Sequence, residues 1–193
     1  PHTPVPVTFC GQETVLGCEL VYTCMETPEF TVGVEICEDL WVPEPPCAHM
    51  AQAGATLLLN TSASDEVIGK ANYRRGLVRD QSARLFCAYA YADAGEGEST
   101  TDLVFAGHNL IAENGGILAE SQPFTTGLTC AEIDLQRLMQ ERRRANTWNN
   151  RFDGPAPIPF SLELPDFPIT RSFARLPFVP QDAQDLFGRC EMI

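Results

Sequence analysis

The sequence predicts an α+β fold in which helices cover a β-sheet. Residues 30–37 form a nearly continuous apolar run of strand-forming residues, which is typical of a strand buried on both faces. A proline-marked helix over residues 46–53 and a second apolar run over residues 55–60 follow, which together predict a strand–helix–strand unit. The pair Asn114-Gly115 between two further apolar runs predicts a tight hairpin, because both residues tolerate positive φ.

Shorter patterns predict the remaining elements. Residues 5–24 are expected to form a pair of strands. A helix is expected over about residues 70–86, where apolar residues recur between arginines, and a strand over residues 87–92 follows it. Asp134 is expected to cap a helix that ends near residue 144. Further short strands are expected at residues 103–105, 110–112, 117–119 and 128–133.

The composition changes after residue 145. Residues 153–180 contain seven prolines, which interrupt helices and central strands. We therefore expect one domain over residues 1–145 and a proline-rich connector over residues 146–193 that leads toward a further domain. The connector is expected to lie along the surface of the domain or of a neighbouring subunit, and to become helical near residue 182.

The charge balance argues against several kinds of partner. Asp and Glu number 26 against 13 Lys and Arg, so the net charge is −13. Nucleic acids and anionic membranes require a positive surface, and neither is expected as a partner. No apolar run approaches the roughly 20 residues that span a bilayer. The chain begins at Pro1 without a basic and apolar leader, so we expect a cytoplasmic protein and a piece of a longer chain.

Eight cysteines are distributed along the chain without a CxxC pair. The three histidines do not stand at metal-ligand spacing from them, so no metal site is expected. Several cysteines, including Cys37 and Cys87, lie inside apolar runs, which favours free thiols. The even count leaves a disulfide framework as the alternative.

Cys37 is the candidate nucleophile. It follows a buried strand and precedes acidic residues and a helix start, a position at which sheet proteins often place their chemistry. A sharp turn there exposes the sulfur, and the next backbone N–H can join an oxyanion hole. A lone cysteine in a strand is more often a core residue, so the residues by themselves leave both interpretations open.

The segment Gly-Val-Glu-Ile-Cys-Glu-Asp-Leu-Trp-Val-Pro at residues 33–43 resembles the nucleophile segment of the nitrilase superfamily. Within it, the segment is most similar to the glutamine-hydrolysing domains of glutamine-dependent NAD synthetases. The resemblance continues in order over most of the chain, at residues 60–64, 69–75, 81–84, 97–105 and 112–115. It implies a four-layer α–β–β–α sandwich, here as an N-terminally truncated piece, and a Glu–Lys–Cys catalytic set.

The resemblance also implies a reaction. The cysteine attacks the side-chain amide of L-glutamine, a thioester forms, and ammonia passes to a synthetase domain that uses ATP and Mg to make NAD. It assigns Cys37 as the nucleophile and Glu38 as the backbone oxyanion donor, whose carboxylate also binds substrate. It assigns Ser64 and Lys70 as further contacts to glutamine. No cofactor is expected within these 193 residues, and a homo-oligomer is expected.

Simpler roles compete with these assignments. For Ser64 the residues favour a helix N-cap or a loop position, and for Lys70 a solvated cation at a helix start. Structural roles are favoured for His49 and His108. A salt-bridged surface is the leading interpretation for the next helix, at Tyr73, Arg74, Arg75, Arg79 and Arg84.

The chain departs from the family pattern at two catalytic positions. The family places its glutamate and lysine before the cysteine, whereas Lys70, the one lysine here, follows Cys37. No glycine-rich phosphate loop occurs in the sequence either. We therefore expect these residues alone to be inactive in glutamine hydrolysis. A non-catalytic, nitrilase-like module used for subunit assembly is the alternative.

Overall fold

A computed structural model describes residues 3–98, 102–148, 154–165, 168–173, 179–180 and 182–192. Residues 99–101, inside the motif at residues 97–105, lie outside the described parts. The helices are α1 (Pro46–Gln52), α2 (Lys70–Arg84), α3 (Leu135–Arg144) and α4 (Ala183–Met192). The strands are β1 (Val5–Phe9), β2 (Gln12–Leu16), β3 (Val21–Cys24), β4 (Thr31–Ile36), β5 (Leu57–Ser62), β6 (Ala88–Asp93), β7 (Leu110–Glu113), β8 (Gly116–Glu120) and β9 (Ile158–Phe160).

Seven of these strands form one mixed sheet in the order β8-β7-β6-β5-β4-β3-β9. The central strands β4, β5 and β6 are parallel, while β3 pairs antiparallel with β4, β7 with β6, and β8 with β7. The carboxyl ends of the three parallel strands therefore meet at one edge of the sheet, which we call the carboxyl edge. The opposite edge, where β5 and β6 begin, is the amino edge.

One face of the sheet is covered by α1 and α2. Residues alternate along β4, so that Thr31, Gly33 and Glu35 are buried while Val34 and Ile36 are exposed. Gly33 has to be small, because a Cβ at this position would lie 2.8 Å from the sulfur of Met50 on α1. The backbone of β4 therefore packs directly against α1, and the start of the segment that carries Cys37 is fixed.

Helix α2 closes the same face over β6 and β7. Its Val78 is fully buried in a core that includes Leu58 of β5, Tyr89 of β6 and Leu110 of β7. Burying an aliphatic side chain of this size contributes about 1.5–3 kcal/mol. The strands that end at the carboxyl edge are therefore anchored in a packed core.

Arg142 of α3 closes the amino edge. Its guanidinium donates to the carbonyls of Gly54 and Ala55, just beyond α1, and to those of Leu85 and Phe86, just beyond α2. The last carbonyls of a helix have no partner inside the helix and carry partial negative charge. One buried cation therefore holds the ends of two helices together.

Several sequence predictions are confirmed in this frame. The turn after β7 has φ 46° at Asn114 and φ 86° at Gly115, as a tight hairpin requires. Helix α1 begins at Pro46, and the side chain of Asp134 caps α3 by accepting from the N–H of Arg137 at 2.9 Å. The structure leaves all eight cysteines free.

Three local predictions are wrong. Residues 5–24 form three strands, because the chain reverses at Cys10-Gly11 and pairs β1 with β2 as a separate hairpin. Residues 103–105 contribute an isolated bridge between Phe105 and Asp65 rather than a strand. Residues 128–133 form no strand. The runs at residues 103–105 and 128–133 have strand-forming residues, but no neighbouring strand forms a ladder with them.

The described part of the proline-rich segment lies against the domain. Strand β9 pairs in parallel with β3 and is the outermost strand on that side of the sheet, a position at which Pro159 is tolerated. Beyond it, the Ser161 hydroxyl donates to Glu26, and the Leu162 N–H donates to the same carboxylate at 3.0 Å. Packing along the surface is what the sequence predicts for this segment, while the division into residues 1–145 and 146–193 stays a prediction.

The expected α+β class is confirmed. The described residues supply one helix layer and one large sheet of the four-layer sandwich that the resemblance implies. None of the helices in the described parts of the chain combines the length and the apolar character that a membrane-spanning helix needs.

Candidate active site at the carboxyl edge

Cys37 lies directly beyond β4, at the first position of a short 3₁₀ helix, Cys37–Trp41. Its φ is 50°, in the region that non-glycine residues rarely adopt. The carboxylate of Asp39 accepts from the N–H of Ile36 at 2.8 Å and closes the turn. Because the turn is sharp, the half-buried thiol faces the edge of the sheet rather than the core.

The four residues that the resemblance assigns to the site surround one cleft. A cleft of about 420 Å³ is lined by Cys37, Glu38, Ser64 and Lys70, together with Trp41, Ala63 and Asp65. Cys37 and Glu38 come from the end of β4, Ser64 from the end of β5, and Lys70 from the start of α2. Parallel pairing of β4 and β5 brings the first three together.

The predicted alternative of a solvated cation is wrong for Lys70, because its ammonium group is fixed by two contacts. Its ammonium donates to Asp65 at 2.7 Å and lies 5.4 Å from the centre of the Trp41 ring, and its side chain is 19% exposed. The same hydrogen bond lowers the pKa of Asp65. The site therefore has a positive charge fixed on the wall of the cleft that contains Cys37.

Ser64 is buried, and its N–H donates to the carboxylate of Asp93 at 3.0 Å. The predicted alternative of a helix N-cap is wrong, because Gly69 with φ 88° stands at that position of α2. Ser64 is thus a loop residue held against the end of β6, with its place in the cleft fixed by Asp93.

Asn60 is a residue that the sequence analysis did not single out. Its side-chain oxygen accepts from the N–H of Cys37 at 3.1 Å and from the hydroxyl of Ser62 at 2.7 Å. Its side-chain nitrogen donates to the carbonyl of Cys37 at 3.3 Å and to the hydroxyl of Tyr89 at 3.2 Å. An asparagine at a buried position of an apolar strand is the signal that could have revealed it.

Glu35 and Tyr89 lie behind Asn60 in the core. The Tyr89 hydroxyl donates to Glu35, whose second carboxylate oxygen accepts from the N–H of Cys47 at 2.9 Å. Burial raises the pKa of Glu35, and burial beside that carboxyl raises the pKa of Tyr89 well above its ordinary value. Both oxygens of Glu35 are therefore engaged away from the cleft.

The predicted salt-bridged surface of α2 is wrong for Arg74, which is buried. Its side chain is fully buried and donates to Glu66 at 2.8 Å, with Asp93 3.8 Å away. Burial raises the pKa of Asp93. The prediction holds for Arg75 and Arg79, which pair with acidic residues at the surface, but Arg74 forms part of the wall behind Ser64.

His108 has the structural role that the sequence predicts. Its Nδ1 lies 3.0 Å from the guanidinium of Arg74, and its Nε2 lies 2.9 Å from Glu120. Arg74 can act as a donor only, so Nδ1 accepts and Nε2 carries the proton toward Glu120. His49 is likewise structural and contacts Glu19 at 2.9 Å.

Two further thiols, Cys47 and Cys87, are buried in the core. Burial raises the pKa of Cys87 to about 12, and burial together with the nearby Glu35 raises that of Cys47 further. Such thiols are inert at neutral pH. In the described parts of the chain, no group of three or more His, Cys, Asp or Glu residues could hold a metal ion.

Comparison with known proteins identifies the class to which this fold and site belong. The sequence profile of the carbon-nitrogen hydrolases matches residues 3–143, and the chain belongs to that family. It is 43% identical over 191 residues to the glutamine-dependent NAD(+) synthetase of Mycobacterium tuberculosis, an alignment that covers 93% of this chain and 28% of the relative. The chain thus spans little more than a quarter of the length of this relative.

Solved structures agree with this assignment. A glutamine-dependent NAD(+) synthetase from Cytophaga hutchinsonii superposes with a TM-score of 0.53 at 28% identity, over 63% of this chain and 18% of that one. Nit3 of Saccharomyces cerevisiae, a member of the nitrilase superfamily, superposes with a TM-score of 0.52 at 21% identity, over 61% of this chain and 42% of that one. The second likeness shows the shared fold.

Proposed function

We propose that this chain is part of the glutamine-hydrolysing domain of a glutamine-dependent NAD synthetase, with Cys37 as the nucleophile. The observation that carries the proposal is the cleft at the carboxyl edge, where Cys37, Glu38, Ser64 and Lys70 converge. The identity to relatives of that activity supports the choice of substrate. In the proposal, L-glutamine enters the cleft with its side-chain amide toward Cys37.

The chemistry follows from the residues around the thiol. The thiolate of Cys37 adds to the amide carbon, and the negative charge that develops on the oxygen needs preorganised donors. The backbone N–H of Glu38 is the donor next to the nucleophile. When the tetrahedral intermediate collapses, the carbon–nitrogen bond breaks, a proton is transferred to the leaving nitrogen and ammonia departs. Water then hydrolyses the thioester and releases glutamate.

Charged groups in the cleft match the rest of the substrate. The exposed carboxylate of Glu38 suits the α-ammonium of glutamine, and the held ammonium of Lys70 suits an anionic group. Ser64 contributes to the wall between them. Cleft volume and charge together favour a small zwitterionic amide over an apolar one.

The general base is proposed to come from outside these 193 residues. Both oxygens of Glu35 already accept hydrogen bonds, and Asp65 is paired with Lys70. Neither carboxylate is free to take a proton from Cys37. This supports the catalytic glutamate and lysine that the resemblance places before the cysteine, and with them the expectation that these residues alone hydrolyse no glutamine.

The partners and the location complete the proposal. The ammonia is proposed to reach a synthetase domain of the same protein, where ATP and Mg would be bound. A homo-oligomer in the cytoplasm is the proposed setting.

The test uses the natural full-length protein that contains this sequence. Cys37→Ala should abolish NAD formation driven by glutamine and leave NAD formation driven by free ammonium salts within about twofold of wild type, since a nucleophile acts in its own half-reaction. Cys130→Ala, at an exposed thiol that does not line the cleft, is the matched control and should leave both reactions unchanged. Glutamine-driven synthesis that survives Cys37→Ala would refute the proposal and favour the non-catalytic assembly module.

A further inference from the structure

The peptide groups on both sides of Cys37 are held by one side chain. Asn60 accepts from the N–H of Cys37 and donates to its carbonyl, at 3.1 and 3.3 Å. The hydrogen-bond ladder between β4 and β5 ends at Ile36. For the next residue, Cys37, the Asn60 side-chain amide supplies the two hydrogen bonds that a neighbouring strand would otherwise supply. Asn60 is 1% exposed, so water does not compete for these hydrogen bonds.

The orientation of the Asn60 amide is fixed by its other partners. The Ser62 hydroxyl donates to the oxygen, and the Tyr89 hydroxyl accepts from the nitrogen because its own proton is directed to Glu35. A flipped amide would place two donors opposite each other at the Cys37 N–H. The core thus selects the single orientation that can hold both peptide groups.

Cys37 needs such a constraint. A non-glycine residue with φ 50° is held in a sparsely populated conformation, which persists only when its surroundings over-determine it. The carbonyl of Cys37 and the N–H of Glu38 belong to the same peptide plane and point in opposite directions. By holding that carbonyl toward the core, Asn60 directs the N–H of Glu38 away from the core.

We infer that Asn60 is a positioning residue that sets the oxyanion donor and the nucleophile in their reactive orientation, with Tyr89 and Glu35 fixing its amide. The inference rests on the proposed function, because it assigns the N–H of Glu38 to the oxyanion. Asn60 does not line the cleft, so it acts through Cys37 and not on substrate.

The decisive variant is Asn60→Asp in the natural full-length protein. The carboxylate still accepts from the N–H of Cys37 but repels its carbonyl, so the peptide plane is released. Glutamine-dependent kcat should fall about 10- to 100-fold, somewhat less than when an oxyanion donor is removed outright. KM for glutamine should stay within about twofold of wild type, since ground-state contacts are intact.

Acidification gives a readout that a merely structural role would not move. Protonation of the introduced aspartate restores a donor opposite the Cys37 carbonyl. The ratio of variant to wild-type kcat should therefore rise as the pH falls, while Asn60→Ala should show the same deficit at every pH. Asn114→Asp, the same change in the hairpin turn at the amino edge, is the control and should keep wild-type kinetics.

Hydrogen exchange separates this inference from the proposed function. Exchange at the Cys37 amide, measured by mass spectrometry, should accelerate in Asn60→Ala, which removes the acceptor of that N–H, while β4 and β5 keep their protection. If the wild-type protein fails to hydrolyse glutamine, the proposed function fails. An unchanged exchange rate at the Cys37 amide in Asn60→Ala overturns the positioning by Asn60, whether or not the wild type is active. For Asn60→Asp, a kcat within about twofold of wild type, or a deficit that is equal at all pH values, overturns the inference.

A second variant covers the case in which Asn60→Asp does not fold. Tyr89→Phe removes the hydroxyl that orients the amide but leaves both bonds from Asn60 to Cys37 possible. It should lower kcat severalfold at unchanged KM and accelerate exchange at the Cys37 amide. Wild-type kcat and exchange in Tyr89→Phe would contradict the role of the core in this positioning.

Discussion

Among the residues that the structure describes, each edge of the sheet contains one buried arginine, and the two arginines have different kinds of partner. At the amino edge, Arg142 donates to backbone carbonyls at the ends of two helices. At the carboxyl edge, Arg74 contacts the carboxylate of Glu66, with Asp93 and His108 beside it. Carbonyls do not titrate and carboxylates do, so the same residue type produces a pH-independent anchor at one edge and a charged wall at the other.

The carboxyl edge is also less completely satisfied. Within the described residues, Arg74 Nε and Asp93 Oδ2 are buried without a hydrogen-bond partner, whereas the guanidinium of Arg142 has four carbonyls around it. Unpartnered buried polar atoms cost free energy and gather at functional sites. The two edges therefore differ in how completely their buried polar groups are satisfied, and the amino edge is the more complete of the two.

The largest effect on stability is expected for Arg74→Met. The substitution leaves the fully buried Asp93 without its cation, and breaking a buried pair in this way costs about 3–5 kcal/mol. Burial already raises the pKa of Asp93, so the folded state binds its proton more tightly than the unfolded state does. Stability of the variant should therefore fall as the pH rises from the ordinary pKa of Asp93 through its raised value.

Urea unfolding of wild type and Arg74→Met, from the ordinary pKa of Asp93 up to neutral pH, measures this dependence. The deficit of the variant should grow toward neutral pH. Arg79→Met, at an exposed ion pair on the same helix, is the control and should change the free energy of unfolding by less than about 0.5 kcal/mol. A deficit that does not change with pH would contradict the charged-wall account.

Arg142→Met should have a somewhat smaller effect without pH dependence. It leaves the buried carbonyls of Ala55 and Leu85 unpaired, which costs about 2–4 kcal/mol in total. Urea unfolding of the same series should give an equal deficit at every pH. Arg143→Met, the exposed neighbour on α3, provides the comparison and should be close to wild type. If the Arg142→Met deficit varied with pH as the Arg74→Met deficit does, the contrast between the edges would be lost.

The smallest effect is expected where a charged contact is exposed. Hydrogen bonds from Ser161 and Leu162 lower the pKa of Glu26 to about 2. Its contribution is therefore complete above its ordinary pKa of 4.5 and is lost as the pH falls toward about 2. Glu26→Gln should speed hydrogen exchange in residues 158–162 a few-fold near pH 6, and the difference from wild type should vanish near pH 2. A difference that persists at acid pH would show that charge is not what holds the segment.

The sequence predicts the elements that have strong local signals. The strand before Cys37, the proline-started α1, the Asn-Gly hairpin and the Asp134 cap all follow from residues that specify backbone geometry by themselves. The short runs at residues 103–105 and 128–133 have the same composition as strands. Whether such a run pairs depends on neighbours distant in the chain, which composition does not reveal.

The site shows the same division. Cys37, Glu38, Ser64 and Lys70 could be assigned through recognisable motifs, and the structure brings them to one cleft. Asn60 and Arg74 could not, because each looks ordinary in sequence: an asparagine at the end of an apolar run and one arginine among several. Their importance comes from burial and from partners on other strands, which only the folded chain defines.

The central claim is that Cys37 is the nucleophile of a glutaminase site at the carboxyl edge. The most direct measurement treats the natural full-length protein with a glutamine-like diazoketone and locates the adduct by peptide mass spectrometry. The account predicts a single adduct on Cys37, blocked by excess L-glutamine. Cys87, whose pKa is raised to about 12, and Cys130, which does not line the cleft, should remain unlabelled. Labelling of either in preference to Cys37 would contradict the account.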